Sequence, residues 1–173
     1  MKKILILFLC IFYSPNLLST TIRVVNLQQL VDQNKDLVQL VSLIETDQIE
    51  HRKIFFNKEL KLNSRLEEIE ELKLILEENQ LKIEIEQYNN NLSKFNDEIK
   101  NFNIHYENQV NVLKNNIINK ILEIMQIYAS ENKIDLILDS NNYILSNNSI
   151  NITDIILIEL NKINFDISFE KYK

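Results

Sequence analysis

The stretch LKIEIEQYNNNLSKFNDEIKNFNIHY, residues 81–106, carries apolar or aromatic side chains at Leu81, Ile85, Tyr88, Leu92, Phe95, Ile99, Phe102 and Tyr106. The steps alternate four and three throughout, the heptad spacing that sets all eight side chains on one seam of an α-helix. With one shift of phase the seam runs on through Val110, Leu113, Ile117, Ile121, Ile124 and Tyr128. Upstream, Phe55, Leu62, Leu66, Ile69, Leu72 or Lys73, and Leu76 form a looser seam of the same kind. Glu77-Glu78-Asn79-Gln80 is the polar break between them that leaves two arms of similar length. A tip at Asn89-Asn90-Asn91 is the alternative, at the cost of cutting the best-matched part of the seam. The spacing predicts helices over residues 31–78 and 81–132, folded back on each other, each reaching ~70 Å at 1.5 Å per residue.

Aromatic side chains on the seam (Phe55, Tyr88, Phe95, Phe102, Tyr106) are most simply the contacts between the two arms. A helix with a single neighbour cannot cover all of its apolar surface. Leu74, Ile83, Ile104 and Val112 fall off the seam and are left to face solvent, another subunit or a bound client.

The ends of the chain read differently. Thr21-Ile22-Arg23-Val24-Val25-Asn26-Leu27 is short and β-branched, a strand (residues 21–27) leading into a helix. Ile134-Asp135-Leu136-Ile137-Leu138-Asp139 is a second strand (134–139), and Ser140-Asn141-Asn142 a turn. Tyr143-Ile144-Leu145-Ser146 (143–146) would complete a hairpin with it. Thr153 or Asp154 then caps a helix with Ile155, Ile156, Ile158 and Leu160 as its apolar positions. Three short strands make too small a core alone, so oligomerisation is expected to supply the missing surface. The fold class is mainly α with a small β body, a long antiparallel hairpin being inserted between short strands.

At the N-terminal end, Lys2 and Lys3 precede an apolar run over residues 4–13, then Ser14-Pro15-Asn16 and Leu17-Leu18-Ser19-Thr20. This is the layout of a secretory signal peptide over residues 1–19, with cleavage near Ser19 or Thr20. A membrane span needs roughly 20 apolar residues, and Pro15 interrupts this run too early. Cys10 lies inside the run with no small residues before it, a poor fit to a lipoprotein site.

Removing that leader takes away the only cysteine and the only proline, so no disulfide can form in what remains. It leaves 17 basic against 25 acidic residues, a net charge of −8, which disfavours nucleic acid and anionic membrane as partners through bulk charge. The whole chain has no glycine, which excludes a phosphate-cradling loop, a dinucleotide fingerprint and a G-x-S-x-G elbow. His51 and His105 stand alone on helices, where a metal would need further ligands. Glu67, Glu68 and Glu71 read as a solvated helix face rather than as paired acid–base carboxylates. No catalytic, metal or cofactor site is expected, and the chain is read as non-enzymatic.

In their order and spacing, three pieces together resemble the Skp/OmpH family of periplasmic chaperones. The first is the leader followed by Ile22-Arg23-Val24-Val25-Asn26-Leu27-Gln28-Gln29-Leu30, similar to the family's opening strand and helix start. The second is the glycine-free pair of arms. The third is Ile134-Asp135-Leu136-Ile137-Leu138-Asp139, then Tyr143-Ile144-Leu145, then Ile150-Asn151-Ile152-Thr153-Asp154 and Leu160-Asn161. This is similar to the family's closing hairpin and the D-I-T start of its last helix, with Asn151 where Asp is usual. The resemblance spans residues 20–162 and leaves 163–173 as a tail with no assigned role.

The resemblance implies a homotrimer with a β-barrel body and three helical tentacles around a cavity, in the periplasm. There it would hold unfolded outer-membrane proteins without ATP. Val24, Val25, Leu136, Leu138, Ile144 and Leu145 are then expected to join across subunits in the body, and Leu74, Ile83, Ile104 and Val112 to meet clients. Known members are basic whereas this chain is acidic, so membrane contact is not supported by charge. A structural coiled-coil protein of the envelope is the competing reading. It would share the leader and heptads but would not need the terminal strands.

Overall fold

The computed structural model describes residues 20–173; the expected leader, residues 1–19, lies outside them. In chain order the elements are β1 (Ile22–Val25), α1 (Leu27–Asp32), α2 (Lys35–Leu72), α3 (Glu78–Glu131), β2 (Leu136–Asp139) and α4 (Thr153–Leu160). Two 3-10 turns, Ser140–Asn142 and Asn148–Ile150, lie between β2 and α4. The protein is mainly helical with one small sheet.

Side-chain caps start both α1 and α2. Asn26 accepts from the Gln29 amide at 2.8 Å, and Asn34 from the Asp36 and Leu37 amides at 3.1 Å each. The reversal between the long helices falls at residues 73–77, so only Glu77 of the polar tetrad that the sequence marks as the tip lies in it. Glu77 is the N-cap of α3 and Glu78 its first residue, where Glu78 suits the positive end of the helix dipole. With no glycine to end α3, Lys133 takes the left-handed conformation at φ 51°. The Ile134 amide then returns to the Ala129 carbonyl at 2.9 Å, closing a Schellman-type end.

β1 and β2 pair in parallel, Ile22 opposite Leu136 through Val25 opposite Asp139, so the whole hairpin is the crossover between them. The expected antiparallel hairpin of 134–139 with 143–146 does not form. The Ser140–Asn142 turn is committed elsewhere: Asp139 accepts from the Leu27 amide at 3.2 Å and from Asn141 Nδ2 at 3.1 Å, tying the turn to the start of α1. Ile144 and Leu145 consequently stand fully exposed. The other edge of β1 is taken by Asn151 and by the Ile152 amide, which donates to the Val24 carbonyl at 2.9 Å.

Thr153 was expected to cap α4, and its hydroxyl does a different job. It accepts from the Asn26 amide at 2.9 Å and donates to Asn151 Oδ1 at 2.7 Å, while Asn151 Oδ1 also accepts the Thr153 amide at 2.9 Å. Asn151 therefore serves the helix start, and Thr153 locks β1 to it. Around this junction one core gathers Val25, Leu30, Leu40, Ile117, Ile121, Ile152, Ile156 and Leu160. The elements flanking the hairpin thus clamp its root.

Candidate functional site

Two helices that leave the core side by side cover each other along one face only. Near the root the facing side chains Leu37, Leu40 and Ile44 of α2 and Leu113, Ile117 and Ile121 of α3 are all buried. Along the seam toward the tip, Phe102 and Tyr106 are buried; Ile99, Phe95, Leu92, Tyr88 and Leu81 are half-buried; Ile85 is exposed. On α2 the inward positions mix apolar and polar residues, half-buried Phe55 and Leu62 and buried Ile69 alternating with Lys58 and Arg65. Lys58 bonds Glu98 across the arms at 2.5 Å, and Arg65 pairs with Glu84. Leu66, read as a seam residue, is turned outward, and Arg65 holds the inward position because its guanidinium reaches Glu84. Of the four off-seam side chains, Leu74 is 90% exposed, Val112 61%, Ile83 55% and Ile104 40%.

In the body, Val24 and Val25 are buried and Leu138 is half-buried, whereas Leu136, Ile144 and Leu145 are exposed apolar side chains. β2 has no strand on its second edge among the described residues.

Residues 163–173, a tail with no role assigned from the sequence, turn back along the arms. Ile163, Phe165, Ile167 and Phe169 are half-buried, while Asn164, Asp166, Ser168 and Glu170 between them are exposed. The ring of Phe169 stacks on Tyr106 at 6.2 Å. Tyr172 lies edge-on to Phe102 at 5.3 Å and near both histidines, 5.6 Å from His105 and 5.9 Å from His51. His51 and His105 therefore flank an aromatic ring. Among the described residues, no three His, Cys, Asp or Glu side chains converge as a metal-binding group.

Polar side chains of the arms bind the backbone of this tail. Asp36, buried at the start of α2, accepts from the Phe165 amide at 2.9 Å. Gln109 accepts from the Glu170 amide at 2.9 Å and returns its own Nε2 to the Glu170 carbonyl at 2.9 Å. His105 Nε2 lies 2.7 Å from that same carbonyl. The Tyr106 hydroxyl accepts from the Tyr172 amide at 3.1 Å and donates to Asp47. Asp47, only 2% exposed, also meets His51 Nδ1 at 3.1 Å and Lys171 Nζ at 3.5 Å. Burial first, and the bond to Asp47 second, push the Tyr106 phenol up to about 12; the bond from the Tyr172 amide opposes them.

Asp36, Asp47 and Gln109 escaped the sequence reading because each is one polar residue on a helix, with no local signal of a partner far along the chain. The tail itself carried a signal, the alternation Ile163, Phe165, Ile167, Phe169. No helix of the described residues is long and apolar enough to cross a membrane.

Comparison with known proteins bears on what such a hairpin does. The sequence model of a family described as Outer membrane protein (OmpH-like) matches residues 21–160. Among solved structures, the chain is similar to one described as an OmpH-like outer membrane chaperone from Caulobacter crescentus CB15. The TM-score is 0.62 at 12% identity, covering 86% of this chain and 90% of that one. No curated protein sequence matches. Residues 163–173 lie beyond the family match.

Proposed function

The chain belongs to the OmpH-like outer membrane protein family, and from that premise we propose that it is an ATP-independent periplasmic holdase for unfolded outer-membrane proteins. On this reading residues 1–19 are the export leader, 20–162 the chaperone domain, and the working particle a homotrimer. No catalytic step is involved, and neither cofactor nor nucleic acid takes part.

The observation that carries the reading is the apolar surface that the hairpin leaves uncovered. A firmly packed root supports arms on which Ile69 is buried near the tip but Leu74, Val112, Ile83 and Ile104 are exposed, Leu74 at 90%. A holdase needs many weak, interchangeable contacts, so that a client is retained without being fixed in a wrong fold. Isolated side chains such as Leu74, Ile83, Ile104 and Val112 supply at most ~1–3 kcal/mol each when fully covered. Several engaged at once retain a chain tightly while each contact stays labile.

The body supports the trimeric reading. Two strands of four residues cannot close a barrel, β2 has no strand on its second edge among the described residues, and Leu136, Ile144 and Leu145 are exposed apolar side chains. Half-buried Leu138 would add to that surface, whereas Val24 and Val25, expected from the sequence to join across subunits, are already buried within the protomer at 2% exposure. Arms that diverge from a common body would then enclose a space lined by their mixed apolar and polar faces.

The test is dilution of a urea-unfolded β-barrel outer-membrane protein into buffer with and without the purified protein, followed by light scattering and native mass. Suppressed scattering by a particle of three copies is expected. Aggregation at an unchanged rate would sink the holdase reading, and a well-folded monomer would sink the trimer. Because the chain is acidic, raising salt should leave client affinity unchanged or slightly higher. A steep loss with salt would show that basic side chains dominate capture.

A further inference from the structure

The arms hold an extended segment in the structure itself. Residues 163–173 are bound largely through groups that every polypeptide has. The amides of Phe165, Glu170 and Tyr172 donate to Asp36, Gln109 and Tyr106, and the Glu170 carbonyl meets Gln109 and His105. The Gln109 carboxamide does what a neighbouring strand does, satisfying both the N–H and the C=O of one residue. With the tail in place Asp36 and Tyr106 are both buried, and the Tyr106 hydroxyl is oriented by its bond to Asp47 on the opposite arm. Contacts of this kind do not read sequence.

The side chains add a pattern. Every second residue from Ile163 to Phe169 faces the arms and the ones between face outward, a period of two. That is also the period of a membrane-spanning β-barrel strand, apolar toward lipid and polar toward the lumen. No apolar side chain of the tail is fully buried, so the strap is lightly held. Beside it a cleft of about 230 Å³ remains open between Leu40, Val112 and Leu113 on one side and Asp166 and Ser168 on the other.

We propose that this groove on the hairpin is a backbone-reading binding site for extended client segments with apolar residues at alternate positions, and that residues 163–173 occupy it until a client displaces them. The inference rests on the holdase reading for its choice of client. The tail covers the apolar floor of the site when it is empty. As a tethered competitor at high effective concentration, it lowers the apparent affinity of every client segment by the same factor. Clients that present several alternating strands overcome it, and single short segments do not.

The probe is a fluorescein-labelled peptide of residues 163–173, titrated into the full chain and into the full chain carrying Phe169→Ser. Loss of the Phe169 ring from its stack on Tyr106 loosens the resident tail. The labelled peptide should therefore bind the variant at least ten-fold more tightly than the wild type. Adding Gln109→Ala to that variant should weaken the peptide by five-fold or more. A scrambled peptide that breaks the alternation should bind at least ten-fold more weakly. Equal affinity for both chains, or binding to neither, overturns the proposal whether or not the protein suppresses aggregation. In the wild-type chain, saturation with an unfolded β-barrel protein should speed hydrogen exchange at the Glu170 and Tyr172 amides at least ten-fold. Unchanged protection with client bound would overturn displacement even if Phe169→Ser fails to fold.

Discussion

In the half of the hairpin nearest the sheet, Leu40, Ile117 and Ile121 are sealed from solvent by the opposite arm together with α1 and α4. In the distal half the same heptad continues, yet Leu81, Tyr88, Leu92 and Phe95 are only half-buried and the inward positions of α2 include Lys58 and Arg65. Identical spacing therefore gives two kinds of surface, depending on how many neighbours a helix has. One half stores stability and the other leaves apolar side chains within reach of solvent. Phe102, Tyr106 and Asp47 stand at the border, and the tail is anchored there.

The largest expected difference between the halves lies in their cores. Ile117→Ala, at a fully buried position, should lower stability by ~2–5 kcal/mol. The same truncation at Ile85, 38% exposed, should cost less than about 1 kcal/mol. Urea unfolding of both variants followed by circular dichroism makes the comparison, and equal costs would mean that the distal arms are sheathed in a larger bundle.

At the border, Asp47→Ala removes the buried acceptor of the Tyr106 hydroxyl and should cost ~1–3 kcal/mol. The phenol is an acid whose folded-state pKa is raised, so the neutral form is the one the fold prefers. Its contribution to stability is present below pH 10 and is lost as pH climbs from 10 through about 12. Ultraviolet titration against Tyr106→Phe should show one late-ionising tyrosine. Since burial outranks the Asp47 bond as the cause, Asp47→Ala should bring that tyrosine only part of the way back toward 10.

The smallest effect belongs to the distal ion pairs. Lys58→Met breaks the bond to Glu98 in a pair both of whose members reach solvent, which is worth ~0–1 kcal/mol. The difference from wild type in urea should shrink further in 1 M salt; a larger, salt-independent loss would mark the distal arms as structurally essential. Lys58 is thus engaged with Glu98 rather than presenting a free charge.

The arms were legible because a heptad is written locally, one residue after another, and Leu81 through Tyr106 repeat it without error. The parallel pairing of β1 with β2 was not, since nothing in Leu136–Asp139 says whether its partner is 143–146 nearby or Ile22–Val25 far away. The Asp139 carboxylate decides it by reaching the Leu27 amide, a contact between residues 112 apart. The tail shows the same limit. Its alternation was visible, but its backbone partners Asp36, Tyr106 and Gln109 come from two different helices.

Between Thr21 and Asp135, which bond each other at 2.7 Å, lie more than a hundred residues of chain. Bringing such distant segments together in an unstructured polypeptide carries a closure entropy before any contact repays it, which is what makes non-local pairings slow to form. Helix formation in the arms needs only near neighbours, and the turn at residues 73–77 folds one arm onto the other. Once that has happened, the two strands are separated by the width of a helix pair instead of a random coil. The sheet is thus expected to close after the arms have shortened the search between its two strands.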